Sequence, residues 1–419
     1  MSESNIARKI MQVKPGTLHA GVDLALDENL VVVIDEQARR CDRFRFQQDA
    51  DGYRYFLRRL EEVRIKTGAS DVIVAMEPTN YFWKLLAQEL EHQNKPYHLV
   101  NSYTVKKHRE GDLLDRSKDD PRDGFMIADL SRTGKHTETR LQHGVYAELR
   151  QYATLYYQVT KSMDRELSML SGLAGQVFPE LRSVFKEIDG MTSRAVLSTC
   201  PAAACLRQLT EQEFMAQVEA AFTGQRLPRK KLMRVYQRAQ TSVGLAMGLK
   251  AYQLAIQIHL DHLEQMETEK QQVVDALLDC LKEVEVAPYL LSIQGVHPLW
   301  VALLLAEIGD PSAYTCSAQL IKLAGTQPSP NTSGRKQRSR TPMSHLGRGR
   351  LRYLLYWTCL HLVQVNPDFK RRYEQLQTRP KNALTKMQAL GALMNKLLRV
   401  SWALMQKKVF YSPSLAASA

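Results

Sequence analysis

At 419 residues, with 44% hydrophobic and 24% charged side chains, the chain is long enough for two or three domains and too apolar to be disordered. The longest apolar run, Leu299 to Ala306, is too short to cross a bilayer, and the opening residues lack the apolar core of a signal peptide. The net charge of +13 is uneven: from Pro311 onward 18 Lys and Arg face two acids, Asp368 and Glu374, giving +16, while everything before sums to −3. That asymmetry points to a polyanion held mainly by the C-terminal part. The charges alternate with turn residues instead of lining one amphipathic face, which argues against an anionic membrane. Six scattered Cys without a CxxC pair fit reduced thiols in a cytosolic protein.

Residues 17–35 predict two strands around an Asp-Glu-Asn turn, and the alternation in 40–47 predicts a third. Tyr53, Phe56, Leu57 and Leu60 at helical spacing place a helix over 51–67. A buried-type strand, Asp71 to Met76, then runs into Glu77-Pro78, followed by a helix near 81–92 and a short strand at 96–100. The order βββαβαβ with a closing helix is that of a ribonuclease-H-like domain, because an ordinary doubly wound sheet lacks the opening antiparallel meander.

Two stretches in the middle, 145–185 and 230–285, are rich in helix formers. They predict long amphipathic helices packed antiparallel as a coiled-coil-like arm, with the proline-broken segment 178–228 as its cap. The third unit opens near Pro288 with the pattern helix, Gly-containing turn, helix over 290–310, like a helix-hairpin-helix. His297 in that turn is a candidate base, although a turn histidine is more often inert. A basic loop follows, then helices over 350–365 and 381–407. The expected domains are 15–140, 141–286 and 287–410.

Four acids stand out. Asp23 lies mid-way along the first expected strand, and Glu77 ends the central one. Asp120 and Asp123 are three apart where Pro121 suits a first helical turn, so both carboxylates share a face. In a ribonuclease-H-like sheet these positions converge, and four oxygen donors suit Mg²⁺ and two-metal phosphodiester chemistry. Taken alone, Asp120 and Asp123 also fit an N-cap and first-turn pair that needs no metal, and Asp119 is a neighbouring substitute for Asp120.

No acid occurs from Pro311 to Pro367. Ser333 is followed by Gly334, Arg335, Lys336, Arg338 and Arg340, a group suited to phosphate binding. The serine has two readings here, a hydrogen-bond donor to phosphate or an activated nucleophile. Arg348, Arg350 and Arg352 add a second backbone-phosphate clamp.

Together GVDLAL (21–26), AMEPTNYFW (75–83), SKDDPRDGFMIADL (117–130), IQGVHPLWVALLLAEIGD (293–310), QLIKLAGTQPSPNTSG (319–334) and HLGRGRLRYLL (345–355) resemble the DEDD transposases of insertion sequences, the family guided by a bridge RNA. The resemblance covers both ends of the chain; the arm matches only in being helical. It implies a RuvC-like N-terminal domain with Asp23, Glu77, Asp120 and Asp123 as its Mg²⁺-binding tetrad. It further implies that Ser333 is the nucleophile of a C-terminal transposase domain. The implied partners are double-stranded DNA, a non-coding guide RNA and further copies of the chain, at least a dimer. The implied location is the bacterial cytoplasm near the nucleoid. Two rival readings stay open: a RuvC-like nuclease using water, and a non-enzymatic nucleic-acid-binding regulator.

Overall fold

A computed structural model describes residues 3–78, 81–112, 120–137, 141–329, 332–333, 336–337 and 342–413. The chain divides into two compact units, residues 1–141 and 142–419.

The first unit is built on a five-stranded mixed sheet in the order β3-β2-β1-β4-β5. The strands are β1 (Thr17–Asp23), β2 (Glu28–Ile34), β3 (Arg40–Gln47), β4 (Asp71–Met76) and β5 (Tyr97–Leu99). The first three form an antiparallel meander, while β4 lies parallel to β1 and β5 parallel to β4. Helices α1 (Glu3–Met11), α2 (Ala50–Thr67), α3 (Phe82–His92), α4 (Ser102–Asp112) and α5 (Asp120–Arg132) complete the unit.

Side-chain parity explains the layers. Leu18, Ala20, Val22, Val72, Val74 and Met76 face Phe56 and Leu60 of α2 and Leu86 and Leu90 of α3. On the opposite face, Ala75 packs with Met126, Ile127 and Leu130 of α5, and Val32 and Ile34 pack with Ala128. A central strand covered on both faces is buried almost throughout, which is why β4 reads as a nearly continuous apolar run and why β1 buries even Thr17 and His19. The strands and the two middle helices lie where the sequence places them. Helices α1 and α4 were not anticipated.

The second unit is helical apart from one small hairpin, among the described residues. Its spine is α6 (Gly144–Val177), later paired with the 34-residue Leu249–Lys282. Between them lie α7 (Leu181–Val184), α8 (Met191–Thr199), α9 (Ala203–Leu206), α10 (Glu211–Ala221) and α11 (Arg229–Gln240), so the paired helix is α12. Contacts Tyr156–Lys270, Glu166–His259 and Gln176–Tyr252 advance in opposite directions along the two helices, so the pair is antiparallel. Helices α7–α11 share one core with the far end of the pair, through Leu170, Ala174, Ile256 and Leu260.

The base of the pair shares a second core with the C-terminal helices. These are α13 (Ala287–Leu291), α14 (Pro298–Ile308), α15 (Ser317–Ala324), α16 (Gly349–Val365), α17 (Pro367–Thr378) and α18 (Lys386–Lys407). That core crosses the expected 286–287 border, since Leu277 and Leu281 of α12 pack with Leu290 and Leu304. The helix expected over 381–407 starts only at Lys386, and α17 precedes it as a separate helix. Asn366 separates α16 from α17 because its side chain accepts from the amides of Asp368 and Phe369 and caps a fresh start.

Candidate active site

Asp23 is the last residue of β1, not a mid-strand residue as expected. Glu77 follows Met76, the last residue of β4. The two strands are parallel with Val22 opposite Met76, so Asp23 and Glu77 stand one step beyond the same rung. By parity each shares a face with the residue two before it, Gly21 and Ala75, and that is the face covered by α5.

The helix comes unusually close to the strand. A Cβ on Gly21 would lie 2.0 Å from the carbonyl oxygen of Gly124 and 2.5 Å from the amide of Ala128. Only glycine permits that approach. It seats the first turns of α5 directly over the end of β1, next to Asp123. Asp123 is buried at 6% exposure, whereas Asp23 and Glu77 are half-buried. Asp120 is the first residue of α5, three positions before Asp123. Asp119 lies outside the described residues.

The serine loop is carried on a neck. Residues 325–329 and 342–347 run antiparallel, bonded through Ser329 N–Pro342 O at 2.8 Å, Ser344 N–Gln327 O at 2.9 Å and His345 N–Gly325 O at 3.0 Å. Asn395 Nδ2 on α18 donates to Thr326 O at 3.2 Å and holds the neck to the helical body. Further out, strands β6 (Thr332–Ser333) and β7 (Lys336–Gln337) pair antiparallel, with Ser333 opposite Lys336. Ser333 is therefore the last paired residue before a two-residue connection. Arg335, Arg338 and Arg340 lie outside the described residues.

Two family profiles match the chain in order along it. One, for a DEDD-type IS110 transposase, matches residues 20–179; the other, for a transposase of the IS116/IS110/IS902 family, matches residues 287–374. The chain belongs to the DEDD-type IS110 transposase family. It is similar to the mini-circle IS117 protein of Streptomyces coelicolor, provisionally named a transposase, at 26% identity over 335 residues, covering 76% of this chain and 78% of the relative. It is also similar to an uncharacterized 43.6 kDa protein of insertion element IS110 from the same organism, at 22% identity over 308 residues, covering 72% and 74% respectively.

As a member of this transposase family the chain is an enzyme that cuts and rejoins DNA, and its DEDD domain implies use of a divalent metal. The residues fit such an ion: every donor type at the β1, β4 and α5 site is a hard carboxylate, and Asp123 is an acid buried at the seam. Among the described residues no helix is long and apolar enough to cross a membrane.

The second basic cluster of this transposase does structural work. Arg348 precedes α16, donates to the Glu307 carbonyl, and lies 3.8 Å from the Glu307 carboxylate. Burial and the nearby Arg150 guanidinium push its pKa down, while Glu307 opposes them. Arg352 donates to Ala324 O at 2.8 Å and Gly347 O at 3.3 Å, bracing the neck. Arg350 sits over the Tyr157 ring, 4.8 Å from its centroid. His297 caps α14, its Nδ1 accepting from Leu299 N at 3.2 Å.

A basic feature was missed. On α11 the side chains of Lys230, Lys231, Arg234 and Arg238 are exposed, while Leu232, Val235 and Ala239 turn inward. The signal is present in RKKLMRVYQRAQ, but summing charge over the first three quarters of the chain averages it away.

Proposed function

We propose that this transposase carries a RuvC-like domain over residues 15–140, an arm over 141–286 and a transposase domain over 287–410. In this reading it cuts and rejoins DNA through a composite site made of the acidic tetrad and Ser333. The sheet order β3-β2-β1-β4-β5, with an antiparallel meander followed by parallel strands, supports the RuvC-like reading. The observation that carries the proposal is that Asp23 and Glu77 each follow the last shared rung of β1 and β4, Val22 with Met76, under a helix seated through Gly21 and bearing Asp123.

Asp23, Glu77, Asp120 and Asp123 would hold Mg²⁺. When bound, it supplies positive charge to the scissile phosphate and to the oxygens that enter and leave. The protein's own part is the following. Ser333 loses its hydroxyl proton and its Oγ attacks the phosphorus. An Oγ–P bond forms as the P–O bond to one DNA strand breaks, and the departing oxygen takes up a proton. Rejoining reverses the exchange with a new strand end, so no high-energy co-reactant is needed. Arg335, Lys336, Arg338 and Arg340 neutralise charge developing on the phosphate.

Oligomerisation through the arm, at least to a dimer, would let a tetrad of one copy meet a serine of another. The guide RNA would lie on the N-terminal domain and the basic C-terminal part, acting in the cytoplasm at the nucleoid.

Trapping tests the serine. Wild-type protein incubated with element-end DNA and Mg²⁺ is expected to yield a protein–DNA adduct that survives boiling and disappears in Ser333→Ala. Cleavage that persists in Ser333→Ala would overturn the serine mechanism in favour of a water nucleophile.

A further inference from the structure

The α6–α12 pair is not apolar along its whole length. On α6 no residue is buried between Ala153 and Leu170, and on α12 none between Leu263 and Val273. The pair therefore has two cores, one at its base and one under α7–α11, separated by a more polar stretch. At the α7–α11 edge of that stretch three metal-ligating side chains meet. Glu166 projects from α6; His259 and His262 project from α12, three residues apart.

One donor atom from each of the three lies within 4.8 Å of the other two. His259 Nδ1 is 2.5 Å from Glu166 Oε2, and His262 Nδ1 is 3.7 Å from the same oxygen. The His259 and Glu166 side chains are mostly buried, at 14% and 18% exposure, whereas His262 opens to solvent at 51%. A half-buried trio with one face toward water is what a three-ligand site with an open fourth position needs.

We propose that Glu166, His259 and His262 bind a divalent transition metal of the zinc class, stapling α6 to α12 at the margin of the core they share with α7–α11. Two imidazoles and one carboxylate are a borderline donor set that favours zinc over magnesium. The i, i+3 spacing of a helical ligand pair facing a carboxylate on a neighbouring helix is an established way to build metal sites between packed helices. Binding at about 2.0–2.2 Å per ligand requires the three donors to settle near a tetrahedral spread, a movement on the order of 1 Å from their present positions. As the ion enters, neutral His259 gives up its Nδ1 proton and takes one at Nε2 through solvent, which frees the Nδ1 lone pair for the metal and leaves the ring uncharged. Water completes the fourth position. This site is separate from the acidic tetrad, which offers only oxygen donors.

The test uses the untagged full-length chain stripped with chelator and dialysed. Zinc is titrated against a chromogenic chelator, and cobalt is added to a parallel sample for its visible absorption. The expected result is one zinc per chain that excess Mg²⁺ does not displace, with a raised melting temperature and a tetrahedral cobalt spectrum. In His262→Ala the affinity should fall by more than about tenfold, the lower limit for loss even of an outer-shell partner. His262 is exposed, so that variant folds. Asp23→Asn should keep the zinc site unchanged. Zinc binding that is absent in the wild type, or equal in wild type, His262→Ala and Glu166→Gln, overturns the proposal.

Discussion

Gly21 and Gly124 meet backbone to backbone: a Cβ on Gly21 would fall 2.0 Å from the Gly124 carbonyl oxygen, a distance no side chain can occupy. The reverse substitution is milder, since a Cβ on Gly124 meets Val32 Cγ2 at 3.0 Å and Gly21 O at 3.4 Å. Gly21→Ala must therefore displace α5, and with it Asp123. Overpacking of this kind costs about 1–3 kcal/mol, and a 1 Å misplacement of reacting groups costs about a hundredfold in rate. Thermal melting and a DNA-cleavage assay should show both losses in Gly21→Ala and smaller ones in Gly124→Ala.

Burial gives Asp123 a second prediction. Asp123 is buried at 6% exposure on the helix that covers the ends of β1 and β4. Asp123→Asn preserves shape and removes the charge. The variant should lose the Mg²⁺-dependent rise in melting temperature and fail to cleave DNA. A variant that still melts higher on adding Mg²⁺ would argue that Asp123 is not a ligand.

The sheet was legible because β3 alternates, β2 and β4 are rich in β-branched residues, and Pro78 marks where β4 must stop. Asp23 and Glu77 were legible for the same reason, as acids at strand ends. The contact of Gly21 with Gly124 was not, because it joins residues about 100 positions apart and neither glycine differs locally from a turn residue. Helix α4 was hidden by its composition, SYTVKKHREGD, which has only one strongly apolar anchor, Val105, buried at 2%. Arg348 and Arg352 looked like phosphate ligands because composition cannot distinguish a cation facing DNA from one facing a carbonyl of its own chain.

Glu307 illustrates that last ambiguity and yields a stability prediction. Its side chain is 3% exposed, and Arg150 NH1 reaches its Oε2 at 3.1 Å and Ala306 O at 3.1 Å. Arg348 lies 3.8 Å from the same carboxylate. Removing one member of a buried ion pair typically costs about 3–5 kcal/mol because the other charge is left underpaired. Arg150→Met should fall at the lower end, since Arg348 remains. Urea denaturation of the full chain measures it. The double variant Arg150→Met with Glu307→Leu should not recover the loss, because it takes that carboxylate away from the buried Arg348 guanidinium.

Acid should loosen the first unit through its histidines. His19 Nδ1 and His98 Nδ1 both contact Ser131 Oγ, at 3.0 and 2.8 Å, and His98 stacks on His136 with centroids 3.5 Å apart. Burial is the largest cause that lowers both His19 and His136 to about 4; Arg132 reinforces it at His19 and Lys9 at His136, while Glu36 and Asp129 oppose it at His19. Between that value and the ordinary 6.5, the unfolded chain binds more protons than the folded one. Stability therefore rises with pH across this window and is lost as pH falls from about 6.5 toward 4, by up to about 1.4 kcal/mol per pH unit for each histidine. Denaturation at pH 7, 6 and 5 should show the slope, and His136→Asn should reduce it.

The exposed cations of α11 predict a contribution to DNA binding separate from the serine loop. Lys230, Lys231, Arg234 and Arg238 lie on the outer side of a helix whose apolar side is fixed by Leu232, Val235 and Ala239. Their charge is therefore displayed by the fold and not consumed by it; in contrast, Arg229 approaches Glu219 at 3.5 Å. Each phosphate contact on duplex DNA contributes about 0.9 to the slope of log affinity against log salt. Replacing Arg234 and Arg238 by Gln should lower affinity for duplex DNA of any sequence and reduce that slope by up to about 2, with melting temperature unchanged because neither side chain packs in the core. Fluorescence anisotropy across a salt series separates this outcome from a change in sequence preference, which would leave the slope intact. An unaltered slope would place the DNA elsewhere and leave α11 as a solvated face.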